Sequence, residues 1–222
     1  MEIFKNKVKI AGLLIILGMI TGVLSIASAV DSSNYLTEAC ANTTHVLLAA
    51  LFQFILFLTY VGFAILLYPI IKKHSESLAL GFLSFRITAG IILIIGTVIL
   101  LSILTLSCEF VKSGSDNMLY ESIGNILKIS RDQVNHIFMV ITISTGNLML
   151  YILFLRSKLI PKWLSIWAIL GTILSTLASI LLLFSLIEVI TIEYVILNVP
   201  TGLFELVLGF WLIVKDFEQK EF

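Results

Sequence analysis

Runs of apolar residues, each long enough to cross a bilayer, alternate along this chain with short polar connectors. A spanning helix needs about 20 consecutive apolar residues. Six stretches meet that length: Val8–Ala29, His45–Ile71, Leu78–Cys108, Val134–Leu155, Trp163–Ile187 and Ile192–Val214. The predicted fold class is all-α: a polytopic integral membrane helix bundle, one membrane domain over residues 1–222. The third stretch is long enough to tilt or to project beyond the bilayer. Pro200 in the sixth removes a backbone donor, which predicts a kink near Ile196. In the connector Glu109–Gln133, Leu119, Ile123, Ile126 and Leu127 recur at helical spacing among Asp116, Glu121, Asn125 and Lys128. This pattern predicts an amphipathic helix on the outer side. Ser130-Arg131-Asp132-Gln133 has the form of a capping box opening the fourth span.

Composition removes the water-soluble alternatives. Hydrophobic residues make up 59% of the 222 residues and charged residues 13%, too few polar side chains to cover a soluble surface. A net charge of +0 with no basic cluster argues against nucleic acid as a partner. The expected partners are the lipid bilayer and a second copy or another membrane protein. No phosphate-binding loop, metalloprotease motif or paired Cys-x-x-Cys is present, so no cofactor is expected.

The placement of the cations predicts orientation. Lys5, Lys7, Lys9, Lys72, Lys73, Arg86, Arg156, Lys158, Lys162, Lys215 and Lys220 share one side; Lys112, Lys128 and Arg131 take the other. Both termini are therefore expected in the cytoplasm of a multi-pass protein of the cell membrane, with Trp163, Trp167 and Trp211 near the inner interface. Lys5–Lys9 followed by an apolar run and Ala27-Ser28-Ala29 also resembles a secretory signal. The run exceeds a signal's apolar region, and Gly18-Met19-Ile20-Thr21-Gly22 suits close helix packing; the first stretch is read as a retained span.

Two ionisable residues fall deep inside spans, Arg86 in the third and Glu205 in the sixth. Each lies about 12–14 Å from the inner end of its span at 1.5 Å per residue, as does Asn147 in the fourth. An Arg86–Glu205 ion pair completed by Asn147 would make their burial tolerable. The cluster has two readings: a lock between helices, or a ligand, proton or ion site in which Arg86 holds an anionic group and Glu205 accepts a proton or cation. On the outer side, Cys40 and Cys108 share one compartment and could form a disulfide. His45, His136 and Glu109, with a cysteine, are residue types that zinc accepts, although none has the short spacing of known metal motifs. Asn42-Thr43-Thr44 is a glycosylation sequon. Gly171, Ser175 and Ser179 form a small-residue packing face.

Three blocks, in order, carry a resemblance. They are Leu67-Tyr68-Pro69, Lys72-Lys73-His74 and Ala79-Leu80-Gly81-Phe82-Leu83-Ser84-Phe85-Arg86; then Arg156-Ser157-Lys158-Leu159-Ile160-Pro161-Lys162-Trp163-Leu164; and Glu205 with Gly209-Phe210-Trp211-Leu212-Ile213-Val214-Lys215 and Phe217. From Lys9 to Phe217 the chain resembles the prokaryotic family named domain of unknown function 4386. The resemblance implies a prokaryotic multi-span membrane protein without an established activity, and places Arg86 and Glu205 in recurrent blocks. Family members often carry a Glu three residues after the Arg; this chain has Ala89 there. The functional expectation is an integral membrane protein, more plausibly not an enzyme, that binds or passes a small ligand, lipid or ion at Arg86, Glu205 and Asn147. Alternatives are a structural or accessory membrane subunit and an embedded enzyme with an outer-face metal site.

Overall fold

A computed structural model describes residues 2–113, 118–189, 191–215 and 217, with backbone alone for 2–5. Asp116 and Lys220 lie outside the described residues, as does the side chain of Lys5. The described chain is helical, without strands. Its elements are α1 (Glu2–Leu24), α2 (Ser28–Asp31), α3 (Tyr35–Ala41), α4 (Thr43–Ile71), α5 (Glu76–Ser113), α6 (Met118–Asp132), a π-helical turn (Gln133–Phe138), α7 (Met139–Ser157), α8 (Lys162–Leu183) and α9 (Ile192–Val214). Six helical stretches among the described residues are long and apolar enough to cross a membrane, so the chain is a multi-pass membrane protein.

The spanning helices contact one another in chain order, α1 with α4, then α5, α7, α8 and α9, and α9 returns to α1. Short connectors impose this order between α4 and α5, α7 and α8, and α8 and α9, because a few residues can only join antiparallel neighbours. The result is a closed ring. Its core divides in two. Toward the face carrying the start of α1 and the end of α9, Val8, Ile71, Ala79, Phe154, Leu164 and Leu212 belong to one apolar cluster. Toward the opposite face, Ala27, Val30, Tyr35, Ala39, Leu100 and Leu104 belong to a second.

Several predicted boundaries move. The first span ends at Leu24, not Ala29, and the Ala27-Ser28-Ala29 segment enters the opposite-face core with Ala27 and Ala29 buried. The fifth ends at Leu183, where Ser185 adopts a left-handed backbone and Leu186 N–H donates to the Leu181 carbonyl at 2.9 Å, a closing turn of the kind that terminates helices. α5 has 38 residues, about 57 Å at 1.5 Å per residue, so it outruns a bilayer core and its far end supports α3 and α6. α9 continues through Pro200.

The capping box does not form. α6 passes through the π turn into α7, and Asp132 makes no capping hydrogen bond. Arg131 instead pairs with Asp31 of α2, with Asp132 also at 3.5 Å. α6 presents its polar side, with Lys128 donating to the Ser32 carbonyl (3.1 Å) and buried Gly124 beneath Tyr35, toward α2 and α3. Met118, Leu119, Ile123, Ile126 and Ile129 remain exposed. Apart from half-buried Leu127, which packs on the second core cluster, the apolar stripe faces away from the protein, the reverse of a soluble amphipathic helix.

Small residues decide where helices touch. A Cβ on Gly12 would lie 2.7 Å from the Gly209 carbonyl oxygen, so α1 and α9 pack backbone to backbone there. Gly18 packs on Thr59 at 3.0 Å, whereas Gly22 has nothing within 4 Å; only half of the predicted small-residue face is used. Gly12→Ala should lower the melting temperature, at an overpacking cost of about 1–3 kcal/mol, while Gly22→Ala should leave it unchanged or raise it. Equal effects of the two in a thermal melt would contradict this packing.

Cys40 of α3 and Cys108 of α5 form a disulfide with Cα atoms 4.9 Å apart. Ser107 beside it accepts from the Cys40 amide (2.9 Å) and donates to the Leu36 carbonyl (2.8 Å), fixing α3 against α5. Reduction should lower the melting temperature of the wild type and leave Cys40→Ser unaffected, with a stability difference of about 2–4 kcal/mol. A wild-type melt indifferent to reductant would contradict a structural bond.

Candidate functional site

Arg86 projects from α5 about 15 Å above its first residue, and Asn147 from α7 about 15 Å before its last, at 1.5 Å per residue. Gly146 brings the two helices together: a Cβ there would lie 2.8 Å from the Phe85 Cβ and 3.8 Å from the Arg86 amide nitrogen. At that distance Arg86 Nη2 donates to Asn147 Oδ1 at 2.8 Å. Three aromatic rings receive the remaining charge, with the guanidinium carbon 5.3 Å from the Tyr60 ring centre, 5.2 Å from Phe63 and 5.6 Å from Phe82. Each face is electron-rich, and such contacts strengthen when water is excluded. Arg86 is only 5% exposed, yet its Nε–H has no acceptor among the described residues.

Glu205 lies about 14 Å from the end of α9, level with Arg86. The two do not form an ion pair, and no hydrogen bond to Glu205 occurs among the described residues. They instead line one cavity of about 200 Å³, enclosed by Leu14, Ile15, Gly18 and Met19 of α1 and by Leu56, Thr59 and Tyr60 of α4. The expected Arg86–Glu205 contact is therefore replaced by Arg86–Asn147. The physical reason is that α7 approaches α5 closely at Gly146, while α9 stands across the cavity. Opposite charges on the walls of one small space can receive a ligand carrying both signs.

The aromatic cage and the α1 wall were not singled out from sequence. The only signal was spacing: Tyr60 and Phe63 stand three residues apart, hence on one face of α4. In an otherwise apolar span that spacing reads as ordinary core.

The outer histidines, Glu109 and cysteines do not come together. His45 is exposed on α4, Glu109 is bound by Lys112 at 2.8 Å, and both cysteines are used in the disulfide. His136 Nδ1 lies 3.0 Å from the Tyr194 hydroxyl. Among the described residues no three His, Cys, Asp or Glu side chains form a group able to hold a metal ion, which corrects the metal-site expectation. Cys40 lies on α3, His45 on α4, Cys108 and Glu109 on α5 and His136 in the π turn, and Glu109, His136 and both cysteines have other partners. His136 instead belongs to the π turn, whose freed His136 carbonyl accepts from the Ser179 hydroxyl at 2.7 Å. The Gly171–Ser175–Ser179 face serves packing, with Gly171 against Thr201 and Pro200 and Ser175 bonded to Thr201 at 2.7 Å.

No curated protein and no solved structure matches the chain. One family model does, over residues 10–215, which covers most of the first membrane helix, the other five whole and both walls of the cavity. The chain accordingly belongs to the family described as Domain of unknown function (DUF4386).

Proposed function

We propose that this membrane protein binds a small ligand carrying both an anionic and a cationic or donor group, held between Arg86 and Glu205. The observation that carries the reading is the buried guanidinium of Arg86. It retains an unpartnered Nε–H and faces a cavity shared with an unpaired carboxylate. Two opposite charges that served only to lock helices would be in contact, since an interhelical pair offsets its desolvation only through direct geometry. Here Asn147 orients Arg86, the Tyr60, Phe63 and Phe82 rings hold it, and Glu205 waits across the space. An anionic group meets the guanidinium; Glu205 takes the ammonium, hydroxyl or proton.

The lysine asymmetry supports an orientation with both chain ends in the cytoplasm, in a multi-pass protein of the cytoplasmic (cell) membrane. On that orientation the cavity sits near mid-bilayer, a depth at which intramembrane ionisable residues commonly mark binding sites. The outward apolar stripe of α6 suits a helix resting at the outer lipid interface.

Native mass spectrometry of protein purified in mild detergent tests this. The wild type should retain a discrete small-molecule mass that Arg86→Gln and Glu205→Gln both lose. Loss of a charged hydrogen bond of about 1.5–3 kcal/mol lowers affinity about tenfold or more. Identical spectra for the three proteins would contradict the reading.

A further inference from the structure

α1 and α9 meet backbone to backbone at Gly12 and Gly209, with Ile16 against Gly209, and open space lies further along at Gly22 of α1 and Gly202 of α9. Beyond that contact each helix leans on its other neighbour. α1 packs on α4, with Gly18 against Thr59 and Leu56. α9 packs on α8, through the Ser175–Thr201 hydrogen bond at 2.7 Å and the close approach of Gly171 to Pro200 and Thr201. Its beginning is held by Tyr194, bonded to His136 of the π turn at 3.0 Å. The two helices are thus pulled apart by named contacts on opposite sides.

Glycines mark the gap. Gly22 on α1 and Gly202 on α9 each have nothing within 4 Å where a side chain would begin. Gly22 lines the cavity, and Gly202 lies one turn before Glu205. From residue 192 to residue 203, α9 has no buried side chain among those described, whereas Phe204, Leu208 and Leu212 are buried. The gap therefore opens sideways, into the region where a membrane places acyl chains, and its walls at Leu14, Ile15 and Met19 are apolar. The polar end of the cavity lies at the bottom of this slot, at Arg86 and Glu205.

We infer that the ligand is a zwitterionic amphiphile that enters from the bilayer between α1 and α9, its head between Arg86 and Glu205 and its chain in the slot above Gly12 and Gly209. This inference rests on the binding site proposed above. A head with a phosphate or carboxylate and an ammonium satisfies both walls. The cavity of about 200 Å³ is smaller than the 300–1,000 Å³ usual for drug-sized ligands, so it takes the head while the chain stays in the slot and in lipid.

Two probes separate the entrance from the site, each added to purified protein in a nonionic detergent and read by native mass spectrometry. They are lysophosphatidylethanolamine, which has a single acyl chain, and glycerophosphoethanolamine, which is the head alone. Wild type should hold one molecule of either. Gly202→Phe and Gly202→Leu, each filling the slot at an open position outside the cavity lining, should weaken the lysolipid about tenfold and leave the head alone unchanged; Arg86→Gln should weaken both. Two slot variants guard against one that fails to fold, and unchanged binding of the head alone reports an intact site. If the slot variants bind the lysolipid as the wild type does, the lateral entrance is wrong and the site stands. If neither probe distinguishes wild type from Arg86→Gln, the site itself is wrong and the entrance falls with it.

Discussion

A guanidinium cannot be left bare in the apolar interior of a membrane, and much of this fold is arranged around meeting that requirement for Arg86. The cost of an unaccompanied charge there is at least several kcal/mol. Gly146 lets α7 come against α5, which places Asn147 within 2.8 Å of the Arg86 nitrogen. α4 supplies Tyr60 and Phe63, and α5 itself supplies Phe82 one turn earlier. These groups satisfy most of the cation without neutralising it. The opposing charge, Glu205, is kept on the other side of a cavity. The arrangement stabilises a charge while leaving it available, which is what a binding group needs and a structural lock does not.

The rest of the molecule divides by face. Near the chain ends the bundle is tight, with Gly12 on Gly209 and a continuous apolar cluster reaching from α1 to Phe217. Toward the other face the helices loosen between α1 and α9, and the chain compensates there with cross-links. The Cys40–Cys108 disulfide, the Arg131–Asp31 ion pair and the Lys128–Ser32 hydrogen bond fasten α2, α3 and α6 to the end of α5. These bonds add to the second apolar cluster at that end, and they join α2, α3, α5 and α6 without involving the α1–α9 side.

Much of the architecture is legible in the sequence because bilayer thickness imposes a length on apolar runs. All six spans read this way match helices to within a few residues at most ends. The exceptions are local. The first helix stops at Leu24, where the chain must turn into the α2–α3 cap, although Ile26 and Ala27 continue the apolar run. The capping-box pattern at Ser130–Gln133 misleads because the helix never begins there; a π turn carries α6 into α7, and Arg131 is bound to Asp31, a hundred residues away. Arg86, Asn147 and Glu205 stand out from sequence as polar groups at matching depth. Depth along a helix is a property of one segment, whereas azimuth depends on its neighbours. That is why the spacing suggested an Arg86–Glu205 contact and the fold makes Arg86–Asn147 instead. Metal-ligand residues at one membrane face similarly share a level without sharing a place, as His45, Glu109 and His136 do.

The claim that Glu205 is a binding group without an ion-pair or hydrogen-bond partner among the described residues can be tested by its effect on stability alone. Thermal melts of the ligand-free protein should show Glu205→Gln as stable as the wild type or more so, because the substitution removes a carboxylate that makes no ion pair or hydrogen bond among the described residues. A lowered melting temperature for Glu205→Gln, recovered when Arg86 and Glu205 are exchanged together, would show instead that the two hold the helices as a pair.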